Sequence, residues 1–512
     1  MNYKVYITVN MLRASTGGLG KSVCTRVNML IYEGRQVEIL STTFNKNVNV
    51  VRKELLDSGR LDKKAILRNM FEELGGDKLG AIDSEVSYVD SRKSIHHPIN
   101  EKGFAVAKGD KENSYRLYKN GVYVKYKFYD KEERLQYIDY FNENRDRVKR
   151  ETYDDKGYLN RIEYMDLKNN KTNSIGYFNQ AGYCYLSTWI NSSTGIVTKV
   201  NLFKDSDKHI KEFRNEEELK KYWIEQYVLK KDAKPIIISD IRNLDNLVMS
   251  LRNERLVKVA VMHNNHFEEP FHYGSPIKEH KMNLFNNVKK LDAVIFLTDQ
   301  QKNDVQKQFG QLTDYKVISH SAPVIQTDNS KREDFTITSL SRYDGRKRLD
   351  HLIKAFKLVV EEVPQAKLEL WGMGPEEEKL KRIVMDLNLS ENVYLKGFTS
   401  NAIEVFERAT ASVLTSKHEG FGLVITESMA AGAPVISYDI LYGPNDIINN
   451  GVNGFIIENN NIKELAKVII LFLKDADMKK KMSEEARKVS ETFSFAEYTR
   501  KWLEFLEEIS NK

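Results

Sequence analysis

The chain has 512 residues, 41% of them hydrophobic and 10% aromatic, enough for more than one packed core. Its formal net charge of +6 is a modest basic excess, the mark of an ordinary lysine-rich solvated surface, which suits an acidic polymer or an anionic membrane without requiring either. Two cysteines, Cys24 and Cys184, exclude a disulfide framework and fit a reducing cytoplasm, and no apolar run is long enough to cross a bilayer, so any membrane contact is expected to be peripheral, at the inner face.

The N-terminus, MNYKVYITVNML, alternates and carries no small-residue cleavage site, so it reads as a first strand over 3–12 and not as a signal peptide. Gly17, Gly18 and Gly20 follow, then a helix from Lys21 and a second strand over 36–44, the start of a β-α-β unit. From about 86 to 212 the texture changes to Tyr, Asn, Asp and Lys with little helical pattern. A weak repeat runs through it: FNENRD (141–146), YDDKGY (153–158) and FNQAGY (178–183). Each unit is an aromatic, then Asn or Asp, then turn residues, with alternating stretches between, which predicts an antiparallel meander with tight turns. This segment interrupts an α/β domain as an insertion, expected to bind an acceptor or to join copies of the chain into a homo-oligomer.

Helical pattern resumes over 216–228, and apolar strands follow at 235–240, 257–263 and 292–299, each ending in polar residues. Buried parallel strands look like this. From about 333 a second α/β domain begins, with strands at 335–341, 366–372, 392–397, 411–416 and 433–439. Helices at 348–363, 376–388 and 461–475 alternate with them, and an amphipathic helix at 496–509 is expected to cross back onto the first domain. The fold class is therefore α/β: two Rossmann-like doubly wound domains facing a cleft, with an inserted β-meander. The expected boundaries are 1–85 and 213–325 for the two parts of the first domain, 86–212 for the insertion, 326–490 for the second domain and 491–512 for the final helix.

The chemistry concentrates between Ser416 and Glu427, in SKHEGFGLVITE. Strand-like residues precede it and a helix over 422–432, closed by Gly432, follows. Such a strand-loop-helix junction is where open α/β sheets bind ligands, and the helix start attracts phosphate. Glu419 lies in the loop, free to touch a ligand, and Glu427 lies in the helix. Carboxylates beside a phosphate site make sense if they meet hydroxyl groups, and a nucleotide sugar supplies both. Arg342 and Lys347 sit just past an earlier strand end, suited to negative charge growing on a departing diphosphate. The loop TGGLGK (16–21) lets backbone approach a ligand closely. It lacks the full G-x-G-x-x-G fingerprint and no acidic residue directly follows the next strand, so nicotinamide binding is excluded; it also lacks the spacer of a Walker loop. His263 ends an apolar strand, where a satisfied structural histidine is the default. No histidine or carboxylate cluster has metal spacing, and no metal is expected.

Taken together, SRYDGRKRLDHLI (341–353), WGMGP (371–375), LKGF (395–398) and EGFGLVITESMAAGAPVISYD (419–439) resemble the family-4 retaining glycosyltransferases of GT-B architecture, whose E-x7-E signature matches Glu419 and Glu427. VMHNNH (261–266), DILYGPNDII (439–448) and the Tyr/Asn-rich insertion are similar to one subgroup, which attaches α-linked sugars to wall teichoic acid. The resemblance implies a UDP-sugar donor, carrying glucose or N-acetylglucosamine, no further cofactor, no nucleic-acid partner, and a polyol-phosphate polymer as acceptor. Related enzymes modify serine-rich or Ser-Asp-repeat proteins, which leaves an anionic repeat protein as the alternative acceptor. A non-catalytic subunit of a glycosyltransferase complex is disfavoured, because Arg342, Lys347 and Glu419 are all present. By the same resemblance Gly17 and Gly18 face the diphosphate and transferred sugar, which Arg342 and Lys347 also hold. Glu419 reaches the sugar, Gly420, Phe421, Gly422 and Leu423 line the donor, Glu427 takes the ribose hydroxyls, and backbone near Gly397 reads the base. His263 stands beside the reacting sugar, with His266 a weaker candidate.

Overall fold

β-Branched and aromatic residues make KVYITV a strand, Lys4–Val9, buried from Val5 onward. The computed structural model describes residues 3–12, 17–76, 92–204, 209–230, 232–326 and 331–511; Thr16 of the glycine loop and the expected boundary at 85/86 lie outside them. The chain divides into two compact units, residues 1–257 and 258–512.

In the first unit Lys4–Val9 pairs in parallel with Gln36–Ser41 on one side and Pro235–Ser239 on the other, and Gln36–Ser41 continues to Ile66–Asn69. The helix Gly18–Tyr32 follows the first strand. Its Arg26 donates two bonds of 2.9 Å to Asp240 within the core. Both side chains are sealed from water, so each charge depends on the other.

The insertion is a ten-stranded antiparallel sheet running from Ala105–Lys108 to His209–Phe213, every strand bonded to its sequence neighbour. The repeat seen in the sequence is its hairpin turn. In each unit an Asn or Asp side chain accepts from backbone N–H groups ahead of it: Asn142 from Asp146, Asp154 from Lys156 and Tyr158, Asn179 from Ala181 and Tyr183. The residue three positions on turns left-handed, at Arg145 (φ 65°), Gly157 (φ 84°) and Gly182 (φ 78°). Asp130 builds the same turn with Glu133 at φ 58°. The sequence reading missed that copy because glutamate is no turn signal.

The strand Val257–Met262 carries the chain into the second unit, which opens with the parallel ladder of that strand, Ala293–Phe296 and Asp314–Val317. It continues as a six-stranded parallel sheet in the order Val393–Gly397, Lys367–Trp371, Thr336–Leu340, Ala411–Leu414, Val435–Tyr438, Gly454–Ile457. The helix Leu349–Glu362 buries Leu352, Ile353, Phe356 and Val359, one stripe at helical spacing. The final helix, Phe495–Ser510, lies beside the strand Asp314–Val317, where Lys316 donates to Glu508 at 2.8 Å. Just before it, the Ala322 N–H bonds the Phe493 carbonyl. The tail thus returns to the ladder that opens its own unit.

Candidate active site

Strand order in the six-stranded sheet runs outward in both directions from Thr336–Leu340 and Ala411–Leu414. That pair is the topological switch point, and the loops leaving their carboxyl ends diverge to opposite faces and leave a crevice. Residues 341–348 form one loop and 415–422 the other.

Arg348 fastens the two. It sits at φ 47° immediately before the helix Leu349–Glu362. Its buried guanidinium donates to the carbonyls of Thr415 and Ser416 and to the side chains of Asn459 and Asn460. The Thr415 hydroxyl donates to the Lys347 carbonyl at 2.8 Å, and the Lys417 N–H to the Arg346 carbonyl at 2.7 Å. Between these bonds Lys347 is fixed, and its ammonium donates to Glu419 Oε1 at 2.5 Å. The Ser416 hydroxyl donates to the same oxygen at 2.7 Å. Glu419 is therefore held and not free in its loop as its position in the sequence suggested. Four cations at 342, 346, 347 and 348 were within reach on paper, and only the fold decides which one meets it.

The others have separate tasks. Arg346 forks onto Asp344, with a 2.7 Å contact. Burial opposes ionisation of Asp344, but Arg346 and Lys347 hold its carboxyl below the ordinary value. Arg342 stays open to solvent, 71% exposed, with a long 3.9 Å approach to the same carboxylate. Of the cations in this loop it is the one with most freedom to meet a ligand.

The second loop is built on close backbone approaches. A methyl group on Gly420 would stand 1.8 Å from the His263 carbonyl oxygen, so only glycine fits there. This brings the end of the strand Val257–Met262 against Glu419. The His263 ring stacks on His320 (centroids 5.8 Å), and His320 meets the edge of buried Phe421 (5.5 Å). Gly422 adopts φ 90° and opens the helix Leu423–Ala430, which no side chain caps and whose first turn carries no acid. Its leading N–H groups are a place for an anion. Glu427 is buried within that helix. Gly397, at φ 78°, ends the strand Val393–Gly397 and accepts from the Gly372 N–H at 2.7 Å.

Two neighbouring histidines are not acid–base candidates. His266 is buried among Phe267, Phe285 and Tyr442, and burial, with Lys281 and Lys278 nearby, pushes it down to about 3. Burial and four cations do the same to His418. Lys281, itself buried, donates to the carbonyls of Asn264 and Asn265 at 2.8 and 2.7 Å and so shapes the turn after His263. Ser416, Asp344, His320 and Lys281 escaped the sequence reading. Ser416 and Asp344 lay inside the motifs quoted, but a short polar residue in a loop carries no signal of its partner.

Gly17 and Gly18 belong to the first unit. Gly17 precedes the 15-residue helix Gly18–Tyr32, which has no side-chain cap and no acid in its first turn. Among the described residues no three His, Cys, Asp or Glu are grouped to hold a metal ion, and no helix is long and apolar enough to span a membrane.

Comparison with known proteins bears on this geometry. The model of group 1 glycosyl transferases matches residues 324–489, and that of glycosyl transferase 1 domain A matches residues 6–200. The poly(glycerol-phosphate) alpha-glucosyltransferase of Bacillus subtilis is 30% identical over 97% of this chain and 74% of its own length. The poly(ribitol-phosphate) alpha-N-acetylglucosaminyltransferase of Staphylococcus aureus is 27% identical over 98% of this chain and 99% of its own. A crystal structure of a mutant of S. aureus TarM, in complex with fondaparinux, alpha-GlcNAc-glycerol and UDP, superposes with a TM-score of 0.85 at 25% identity, covering 99% of this chain and 100% of that one.

Proposed function

Because this chain belongs to the bacterial teichoic acid α-glycosyltransferases of GT-B architecture, we propose that it moves a hexose from a UDP-sugar onto a polyol-phosphate polymer, forming an α-linkage. The observation that carries this reading is the Lys347–Glu419 pair beside the uncapped helix start at Gly422, at the sheet's switch point. A fixed ammonium, an open guanidinium at Arg342 and a row of backbone N–H groups suit a diphosphate, and Glu419 and Glu427 suit the sugar and ribose hydroxyls.

The anomeric configuration is retained in this reading. The acceptor hydroxyl attacks on the face from which the diphosphate departs, and a phosphate oxygen takes its proton, so no enzyme nucleophile is needed. Lys347, Arg342 and the 423–430 helix start offset the charge that grows on the β-phosphate. His263, held in its stack, and Glu419 orient the sugar. Backbone near Gly397 meets the base. No metal takes part.

Purified protein supplied with UDP-glucose or UDP-N-acetylglucosamine, and with poly(glycerol-phosphate) or poly(ribitol-phosphate), tests the reading. The expected result is transfer, an α-configured product by NMR, and full activity in excess chelator. Absence of turnover with every pairing, or a mass increase only on a serine-rich repeat protein, defeats the polyol-phosphate assignment. A β-configured product defeats retention.

A further inference from the structure

The first unit contains a cavity of about 70 Å³, open to solvent, whose lining includes none of the donor-site residues. It lies at the carboxyl ends of the strands Gln36–Ser41 and Ile66–Asn69, where two hairpin turns of the inserted sheet meet the loop 42–47. Asn69 ties that loop down by donating to the Thr43 carbonyl at 3.0 Å. The turn at Asp154 and the turn at Asn179 supply the facing wall.

Three groups give the cavity its chemistry. Lys46 forms no ion pair among the described residues; its ammonium donates to the neutral side-chain oxygen of Gln136 at 2.6 Å. The carboxylates that line the cavity are already engaged, Asp154 by Arg92 at 2.9 Å and Glu72 by Arg52 at 2.8 Å. Burial without a matched acid pushes Lys46 down to about 8, although Asp130 and Asp154 pull it upward and Arg161 and Arg134 add to the fall. A second group is the side-chain oxygen of Asn160, buried and, among the described residues, without a hydrogen-bond partner. Third, Tyr158 and Phe178 offer ring surface to carbon chains. An under-paired ammonium calls for an anion, an orphaned amide oxygen for a hydroxyl, and the rings for methylene groups.

Those three demands together describe a polyol phosphate. We propose that this cavity is an acceptor subsite that grips a phosphate-bearing unit of the polymer away from the hydroxyl being glycosylated. The proposal rests on the polyol-phosphate reading above. Composition agrees: residues 92–213 carry 23 lysines and arginines against 17 aspartates and glutamates, an excess equal to that of the whole chain. A remote grip of this kind lets long acceptors bind better than single units.

The test compares wild type, Lys46→Gln, Lys46→Arg and Asn160→Ala with poly(glycerol-phosphate), poly(ribitol-phosphate) and single glycerol phosphate, alongside UDP-sugar hydrolysis without acceptor. Expected results are a roughly tenfold rise in KM for the preferred polymer in Lys46→Gln and a smaller rise in Asn160→Ala. Recovery in Lys46→Arg is expected, with unchanged kcat at saturating polymer, unchanged KM for the single unit and unchanged hydrolysis. An unaltered polymer KM in Lys46→Gln overturns the subsite. So does an equal rise with the single unit, and so does lost acceptor-free hydrolysis, which marks a structural role. If wild type itself leaves both polymers unmodified, the functional reading fails instead, which separates the two claims.

Discussion

Lys347 and Glu419 form a part-buried pair whose members are 24% and 15% exposed, and each holds the other at the switch point. In the proposed mechanism, replacing Lys347 with Ala removes a fixed positive charge from beside the departing diphosphate. The expected loss in kcat/KM is about 100- to 1000-fold, as for removal of one preorganised donor, and near-normal turnover in that variant sinks the assignment. Gly420→Ala acts differently. Its methyl group meets the His263 carbonyl at 1.8 Å, so backbone must move. We expect a stability loss of about 1–3 kcal/mol, read from urea midpoints, together with reduced kcat as His263 shifts. The residue roles were only partly legible beforehand. Motif spacing pointed to Arg342, Lys347, Glu419 and Glu427, but pairing depends on side-chain reach across two loops, and no linear pattern encodes that.

Among the elements, the turn after the strand Val257–Met262 is sensitive to pH. His266 lies at about 3 in the fold against an ordinary 6.5, because burial excludes the imidazolium. The unfolded chain therefore binds a proton between pH 6.5 and about 3 that the folded chain refuses. Stability from this residue is complete above pH 6.5 and falls as the pH drops through that window, by up to about 1.4 kcal/mol per pH unit. His266→Phe should flatten the acid limb of urea midpoint against pH between 6.5 and 4; an unchanged slope contradicts the buried, neutral state. The hairpin turns of the insertion show how far local sequence reaches. Asn142, Asp154 and Asn179 bond their own backbones a few residues on, so those turns were readable. Asp130 makes the same turn from a sequence, DKEER, that advertises helix or surface charge.

At the scale of the whole molecule, ligand linkage offers a direct check on the donor. A ligand at 100 times its Kd adds about 2.7 kcal/mol to stability. UDP should raise Tm well above the shift given by uridine at equal concentration if, as proposed, cations and helix N–H groups bind the diphosphate; equal shifts argue against it. Turnover of polymer should also fall with added salt more steeply than UDP-sugar hydrolysis, because the basic excess resides in residues 92–213 and Debye screening shortens to about 3 Å at 1 M.

Alternation, apolar runs and turn residues were enough to mark the strands and helices, the inserted sheet and the strand-loop-helix junction at 415–423, because hydrophobic period and local hydrogen bonding act over a few residues. The family motif was equally local, lying within Ser341–Asp439. Tertiary structure alone decided that Arg348 clamps the two switch-point loops, that Lys347 and not Arg342 meets Glu419, that His266 is neutral core, and that Lys46 and Asn160 share one cavity. Each of those depends on which distant segments exclude water together, and burial and long-range approach are properties of packing that no stretch of sequence carries by itself.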